Sequence, residues 1–215
     1  WQGRFSHDRT PSDVGNIRDE TYNLGVGYRH LLPNKEWMFG VNAFYDYTHE
    51  HSHRRVGLGG EVFNQYGTFR VNGYEGISDK RTLSDSSTEK AVNGWDAALE
   101  APIPKLPWVN INLKTSEFDR AASKNVKTET YSLRANLTDN IEVEMGTTNN
   151  NASDSENFGK FIWHIGKPKY VTSTMADGTQ TTRRNLENHR LEKVRRHNNI
   201  VIDNGTAGLT VGRKQ

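Results

Sequence analysis

The chain has 215 residues, of which 33% are hydrophobic, 10% are aromatic and 19 are Gly; its net charge is +2, from 28 basic and 26 acidic side chains. That length suits one domain, and so even a charge balance argues against nucleic acid as a partner. With no Cys, disulfides, thiol catalysis and Cys-based zinc sites are excluded. No apolar run approaches the roughly 18–20 residues of a membrane-spanning helix, but a transmembrane β-barrel escapes that test, because lipid touches only every second residue of a strand. No signal peptide is visible at Trp1, so an exported form is expected to have been trimmed.

Period-two alternation, which sends successive side chains to opposite faces of a strand, recurs along the first 165 positions. After a fragment at Trp1–Phe5, the residues Tyr22, Leu24, Val26 and Tyr28 alternate with Asn23, Gly25, Gly27 and Arg29. The clearest strand runs from Glu36 to Thr48. Trp37, Phe39, Val41, Ala43, Tyr45 and Tyr47 share one face, while Met38, Gly40, Asn42, Phe44 and Asp46 share the other. Val56, Leu58 and Val62 oppose Gly57, Gly59 and Glu61; Phe69 and Val71 oppose Arg70 and Asn72; Trp95, Ala97 and Leu99 oppose Asp96 and Glu100. Val109, Ile111 and Leu113 then oppose Asn110, Asn112 and Lys114, and Tyr131, Leu133, Ala135 and Leu137 oppose Ser132, Arg134 and Asn136. Ile141, Val143 and Met145 oppose Glu142 and Glu144; Phe161, Trp163 and Ile165 oppose Lys160 and His164. About ten strands of membrane-crossing length are readable.

A soluble sandwich or lipocalin-like barrel also alternates, and alternation alone leaves open which face is outward. The connections carry the distinction. Short links at Pro33–Lys35, Asn64–Gly67, Ile103–Pro107 and Thr138–Asn140 alternate with long polar ones at Ser6–Asp19, Thr48–Arg54, Ser78–Asn93, Ser116–Lys127 and Thr147–Glu156. All long links then fall at one end, as in outer-membrane barrels with tight periplasmic turns and longer extracellular loops.

The character changes after Lys167. Arg183–Arg196 reads as a helix with Thr182 as N-cap and Leu186, Leu191 and Val194 near one face, and its basic run Arg190–His197 reads as a solvated face. The chain turns extended again from Asn198.

Several ordered stretches resemble the translocator domain of the intimin and invasin family, the inverse autotransporters. They are GVNAFYD (Gly40–Asp46), RVGLGGE (Arg55–Glu61), VNGY (Val71–Tyr74), NGWD (Asn93–Asp96) and the terminal RLEKVRRHNNIVID (Arg190–Asp203). The resemblance implies an all-β, antiparallel, twelve-stranded transmembrane barrel in the Gram-negative outer membrane. It also implies a short C-terminal helix and an extended linker through the pore to a surface-displayed adhesin-type passenger. The partners it implies are outer-membrane lipid, periplasmic chaperones, the barrel-assembly machinery and, through the passenger, a host-cell surface. The strand count leaves the family's first hairpin missing before Trp1; His197, Asp203 and Asn204 depart from the family's linker pattern.

The division expected is a barrel at 1–167, a periplasmic-side segment with a short helix at 168–197, and an extended linker at 198–215. At about 3.3 Å per residue, a lipid band about 25 Å tall takes roughly eight residues to cross. Asn198–Gly205 suffices, so the chain is expected to emerge from about Thr206. The linker residues expected in the pore are Arg196, Asn198, Asn199, Ile200, Val201, Ile202 and Asp203. Those expected to face the lumen are Gly25, Gly27, Arg29, Asp46, Gly57, Gly59, Glu61, Arg70, Asp96, Glu100, Lys114, Arg134, Glu142 and Glu144. The four glycines either give clearance to a threaded chain or relieve barrel curvature.

His49, His51 and His53 alternate in a loop, and read as polar surface rather than a metal site. The motifs GVG and GLGG open no helix after a strand, so they are not nucleotide loops. No cofactor is expected. An enzyme would rest on Ser132 and His164, which nothing in the sequence brings together; the rival within the membrane class is an open porin-like channel.

Overall fold

The computed structural model describes residues 2–11, 18–49, 52–82, 88–120, 124–138, 140–151, 153–163, 165, 185–204 and 208–210. Trp1, His51, His164, Thr182, Arg183 and Thr206 lie outside them.

The long strands are β1 (Gln2–Pro11), β2 (Arg18–Leu31), β3 (Trp37–Thr48), β4 (Arg54–Asn64) and β5 (Gly67–Gly76), each paired antiparallel with the next. Two short strands follow, β6 (Arg81–Thr82) and β7 (Thr88–Ala91). The meander then resumes with β8 (Gly94–Ile103), β9 (Leu106–Phe118), β10 (Val126–Thr138), β11 (Ile141–Asn150) and β12 (Ser153–Trp163), β8 pairing with β5. Ten strands thus form one antiparallel sheet in chain order, apart from the β6–β7 excursion. No helix among the described residues is long and apolar enough to cross a membrane.

The sheet is inside-out relative to a soluble protein. Leu58 is 69% exposed, Met145 63% and Val41 62%, whereas Asp46 and Arg55 are 0% exposed and Arg70 is 3%. Alternation forces this split, since a strand cannot bury both faces on one side. Oily side chains outward and ionic ones inward cost free energy in water and are stable only against lipid. This inversion answers the question that alternation left open.

Turn chemistry closes the short ends. Asn64 Oδ1 accepts from the Tyr66 and Gly67 amides at 2.8 and 2.9 Å, and Lys35 and Lys105 adopt left-handed backbone with φ of 56° and 68°. The opposite end differs from expectation. The strands run further than their apolar stretches, so within the link expected at Thr147–Glu156 β11 continues to Asn150 and β12 begins at Ser153. Those expected at Ser6–Asp19 and Ser116–Lys127 narrow to 12–17 and 119–125. Backbone ladders pair whatever the side chains, and polar strand ends such as Thr130 and Thr148, with Oγ1 atoms 3.2 Å apart, continue above the oily band. The strict alternation of short and long links therefore fails at β11–β12. The long link at Ser78–Asn93 is not plain loop but contains β6 and β7.

At the C-terminal end, the helix expected over Arg183–Arg196 is a single 3-10 turn, Leu186–His189, capped by Asn185, whose Oδ1 accepts from the Glu187 amide at 3.0 Å. The His189 carbonyl accepts both the Glu192 amide at 3.2 Å and the Arg29 guanidinium, and the Glu192 carbonyl accepts from Arg29 as well. Leu191, assigned to the apolar face with Leu186 and Val194, is 70% exposed while those two are buried. Beyond it lie β13 (Ile202–Asn204) and β14 (Gly208–Thr210), which join β7 and β6 in a second sheet of order β14-β13-β7-β6.

Candidate functional site

Residues 185–204 lie along the polar face of the sheet from one end to the other. At the short-turn end Leu186 packs with Met38 and Phe63, with Leu31 against them, and Lys35 Nζ sits 3.0 Å from Glu187. Arg29 holds the next stretch. It donates to the His189 carbonyl at 2.8 Å and the Glu192 carbonyl at 2.5 Å, while its Nε and Nη2 are held by Glu61 at 2.8 and 3.1 Å. Arg195 pairs with Glu100 and, at 2.9 Å, with Glu192, whose other oxygen contacts His189 at 2.8 Å. Arg70 lies between Glu61 and Glu100, at 3.4 and 3.5 Å.

Midway, the contacts become denser. Tyr74 Oη donates to Asp96 at 2.5 Å and accepts the His197 amide at 2.8 Å; Asn72 Nδ2 donates to Asp96 at 2.9 Å and to the Arg195 carbonyl at 3.4 Å. One carboxylate, Asp46, joins two guanidiniums. Arg55 donates to it through Nε at 2.9 Å and Nη2 at 2.8 Å, and Arg196 through Nη1 at 2.9 Å and Nη2. Arg55 also donates to the Asn199 and His197 carbonyls at 2.8 and 2.7 Å. Burying three charges costs desolvation, which this geometry offsets by giving nearly every guanidinium hydrogen a partner.

An aromatic–glycine row runs round the same level. Register places Gly25 opposite Phe44, Phe44 opposite Gly57, Gly57 opposite Tyr74, Tyr74 opposite Gly94, and Gly94 opposite Phe118. A Cβ at Gly25 would come within 2.2 Å of the Phe44 ring, and one at Gly94 within 2.2 Å of the Phe118 ring, so each ring lies flat over a glycine. The rings grip the traversing chain: Arg196 stacks over Phe44 at 4.3 Å, and His197 tilts against Phe118 at 5.2 Å.

At the far end Val201, 0% exposed, packs with Tyr74, Val92 and Phe118. Its carbonyl accepts the Val92 amide at 3.0 Å. β13 pairs with β7 through Ile202 opposite Ala91, and with β14 through Ile202 opposite Thr210. Arg120 approaches Asp203 at 3.9 Å.

The residues expected to face the lumen are buried or half-buried, with different contacts. Arg29, Asp46, Asp96 and Glu100 touch the 185–204 segment directly, and Glu61 and Arg70 brace them. Arg134 forms a separate wall network with Glu100, Glu142 and Glu144 at 3.6, 3.2 and 3.3 Å, and Lys114 is half-buried nearby on β9. Of the glycines, Gly57 and Gly27 give room to the segment, their Cβ positions lying 3.5 Å from Arg196 Nη2 and 3.4 Å from Val194 Cγ2. Gly25 and Gly59 give room instead to wall side chains, Phe44 and the Asn42–Asn72 pair.

Contacts with the polar face start at Leu186 and continue through His197 and Asn199, on both sides of the division expected at 197/198. The basic run Arg190–His197 divides: Arg190 and Lys193 are exposed, as a solvated face requires, whereas Arg196 is 6% exposed and Arg195 is tied to Glu100. Sequence reading did not single out Asn23, Arg55, Tyr74 or Arg195 as site residues. Asn23 lies within the alternation already read, and Arg55 and Tyr74 lie one rung beyond it on the same parity, which was the available signal.

The histidines part company. His53 is buried, with Nδ1 3.2 Å from Ser78 Oγ and Nε2 3.3 Å from Glu89, while His49 is exposed. Ser132 donates to Glu144 at 2.7 Å.

The inverse autotransporter β-domain model matches residues 14–198. This chain belongs to that family. The inverse autotransporter adhesin YeeJ of Escherichia coli K12 is 27% identical over 197 residues, covering 84% of this chain and 8% of that protein. Intimin of enteropathogenic Escherichia coli O127:H6 is 28% identical over 204 residues, covering 85% of the chain and 20% of intimin. A putative attaching and effacing protein homolog of Escherichia coli K12 is 35% identical over 98 residues, 45% of the chain and 33% of that protein. The chain therefore spans a third or less of these relatives. A solved structure described under in-meso crystallization of membrane proteins superposes with TM-score 0.67 at 19% identity, covering 94% of this chain and 95% of that one, which speaks to fold alone. As an inverse autotransporter β-domain, the chain is of the outer-membrane β-barrel class.

Proposed function

We propose that this β-domain anchors in the outer membrane and holds, threaded through its own pore, the linker of a C-terminal adhesin-type passenger that it carries to the cell surface. The observation that carries this reading is the run of residues 185–204 along the polar face from the short-turn end to the long-loop end. On this reading the short turns are periplasmic, the β6–β7 end is extracellular, and Arg196, Asn198, Asn199, Ile200, Val201, Ile202 and Asp203 are pore residues. Lipid, periplasmic chaperones and the assembly machinery are the partners during biogenesis, and a host-cell surface is the passenger's target. A plain porin-like channel is disfavoured because ionic side chains that would line its water are instead bonded to the segment.

An epitope fused after Gln215 tests the proposal: antibody should reach it on intact cells. Reactivity only after the outer membrane is permeabilised would overturn it. In planar bilayers the chain should stay closed, and deleting residues 185–215 should open steady conductance.

A further inference from the structure

The slot that holds Arg196 is built almost wholly from the wall. Asn23 and Asp46 are direct cross-strand partners on β2 and β3, Phe44 precedes Asp46 by one inward-facing position, and Tyr74 reaches over Gly57 from β5. Asn23 and Asp46 are both 0% exposed, and the Arg196 side chain is 1% exposed. Within the slot Asp46 takes the Nη1–Nη2 edge of the guanidinium with both oxygens, and Asn23 Oδ1 accepts from Nη1 at 3.1 Å. Phe44 and Tyr74 present ring faces 4.3 and 5.6 Å from its central carbon. The missing side chain at Gly57 leaves the space, with Cβ room of 3.5 Å to Nη2.

We infer that the barrel wall carries a guanidinium receptor, formed by Asn23, Phe44, Asp46 and Tyr74, which binds guanidinium-bearing ligands and sets the register at which the threaded chain stops. Planarity decides the ligand class. A fork of N–H donors matches the two carboxylate oxygens and a third acceptor while its flat face stacks on an aromatic ring; an ammonium is a point charge without that fork or face. All four wall groups sit on paired strands, so the slot does not depend on Arg196 for its shape. The register role rests on the threading proposed above; the receptor does not.

The test is to empty the slot and offer the ligand in solution. The full chain carrying Arg196→Ala is folded in detergent micelles and melted with millimolar guanidinium, methylguanidinium or free arginine, and with lysine or sodium at equal ionic strength. The first three should raise its thermal midpoint by a few degrees, saturably, by preferential binding to the folded state; lysine and sodium should not. The parent chain, whose slot is filled, should show no such shift, nor should Asp46→Asn combined with Arg196→Ala. Should the alanine variant not fold, Arg196→Gln carries the same measurement. No guanidinium response, or an equal response to lysine, overturns the receptor. A surface epitope that stays periplasmic while the guanidinium response is intact removes the export reading and leaves the receptor standing.

Discussion

Asp46 is where one atom-level change should cost most. It is fully buried and is the shared anion for two guanidiniums, Arg55 and Arg196, one from the wall and one from the traversing segment. Asp46→Asn removes the charge, keeps the volume, and turns an amide donor toward guanidinium donors. Breaking a buried ion pair by deleting one partner costs about 3–5 kcal/mol, because the other charge is stranded in low dielectric. Here two cations are stranded, so the upper part of that range is expected. For a domain of this size the cost corresponds to a fall of roughly 6–20 °C in thermal midpoint, read as loss of the compact, heat-modifiable band on gels. Glu75→Gln, an exposed position on the opposite face of β5, should move it by no more than about 0.5 kcal/mol. Combining Asp46→Asn with Arg55→Gln and Arg196→Gln should recover part of the loss, since no cation then lacks an anion. An Asp46→Asn midpoint within about 1 °C of the parent would refute the claim that this carboxylate neutralises both arginines.

Four other substitutions probe the two faces of the sheet. Gly25→Ala must displace the Phe44 ring and should cost about 1–3 kcal/mol in urea unfolding, whereas Gly73→Ala, with nothing within 4 Å of its Cβ, should be neutral or gain up to about 1 kcal/mol; equal effects would contradict the aromatic–glycine row. Tyr74→Phe leaves the His197 amide and Asp96 without the hydroxyl and should cost about 1–3 kcal/mol. Hydrogen exchange should quicken at the His197 amide first, and unchanged protection there counts against the tyrosine's role. Leu58→Arg, on the outward face, should lower folded yield in lipid vesicles by about 2–4 kcal/mol of stability, and undiminished insertion would argue that Leu58 does not meet lipid.

Strand existence and facing were properties of the sequence alone, because a period of two is imposed by each strand's own backbone. Trp37 to Tyr47 against Met38 to Asp46 needed no neighbour to be read, and in this strand the second set is buried while the first is exposed or half-buried. The order of family motifs from Gly40 to Asp203 was equally local. Only tertiary structure decided which face meets the outside, since Leu58 and Asp46 alternate identically in a soluble barrel and a membrane one. It also decided the fate of Leu186–Arg196. Local spacing favoured a helix, but Arg29 and Arg55, more than a hundred positions earlier in the chain, capture the carbonyls of this region and hold the segment open. The Arg196 slot was hidden for the same reason: Asn23, Asp46 and Tyr74 are far apart in the chain and become neighbours only once the strand register is set.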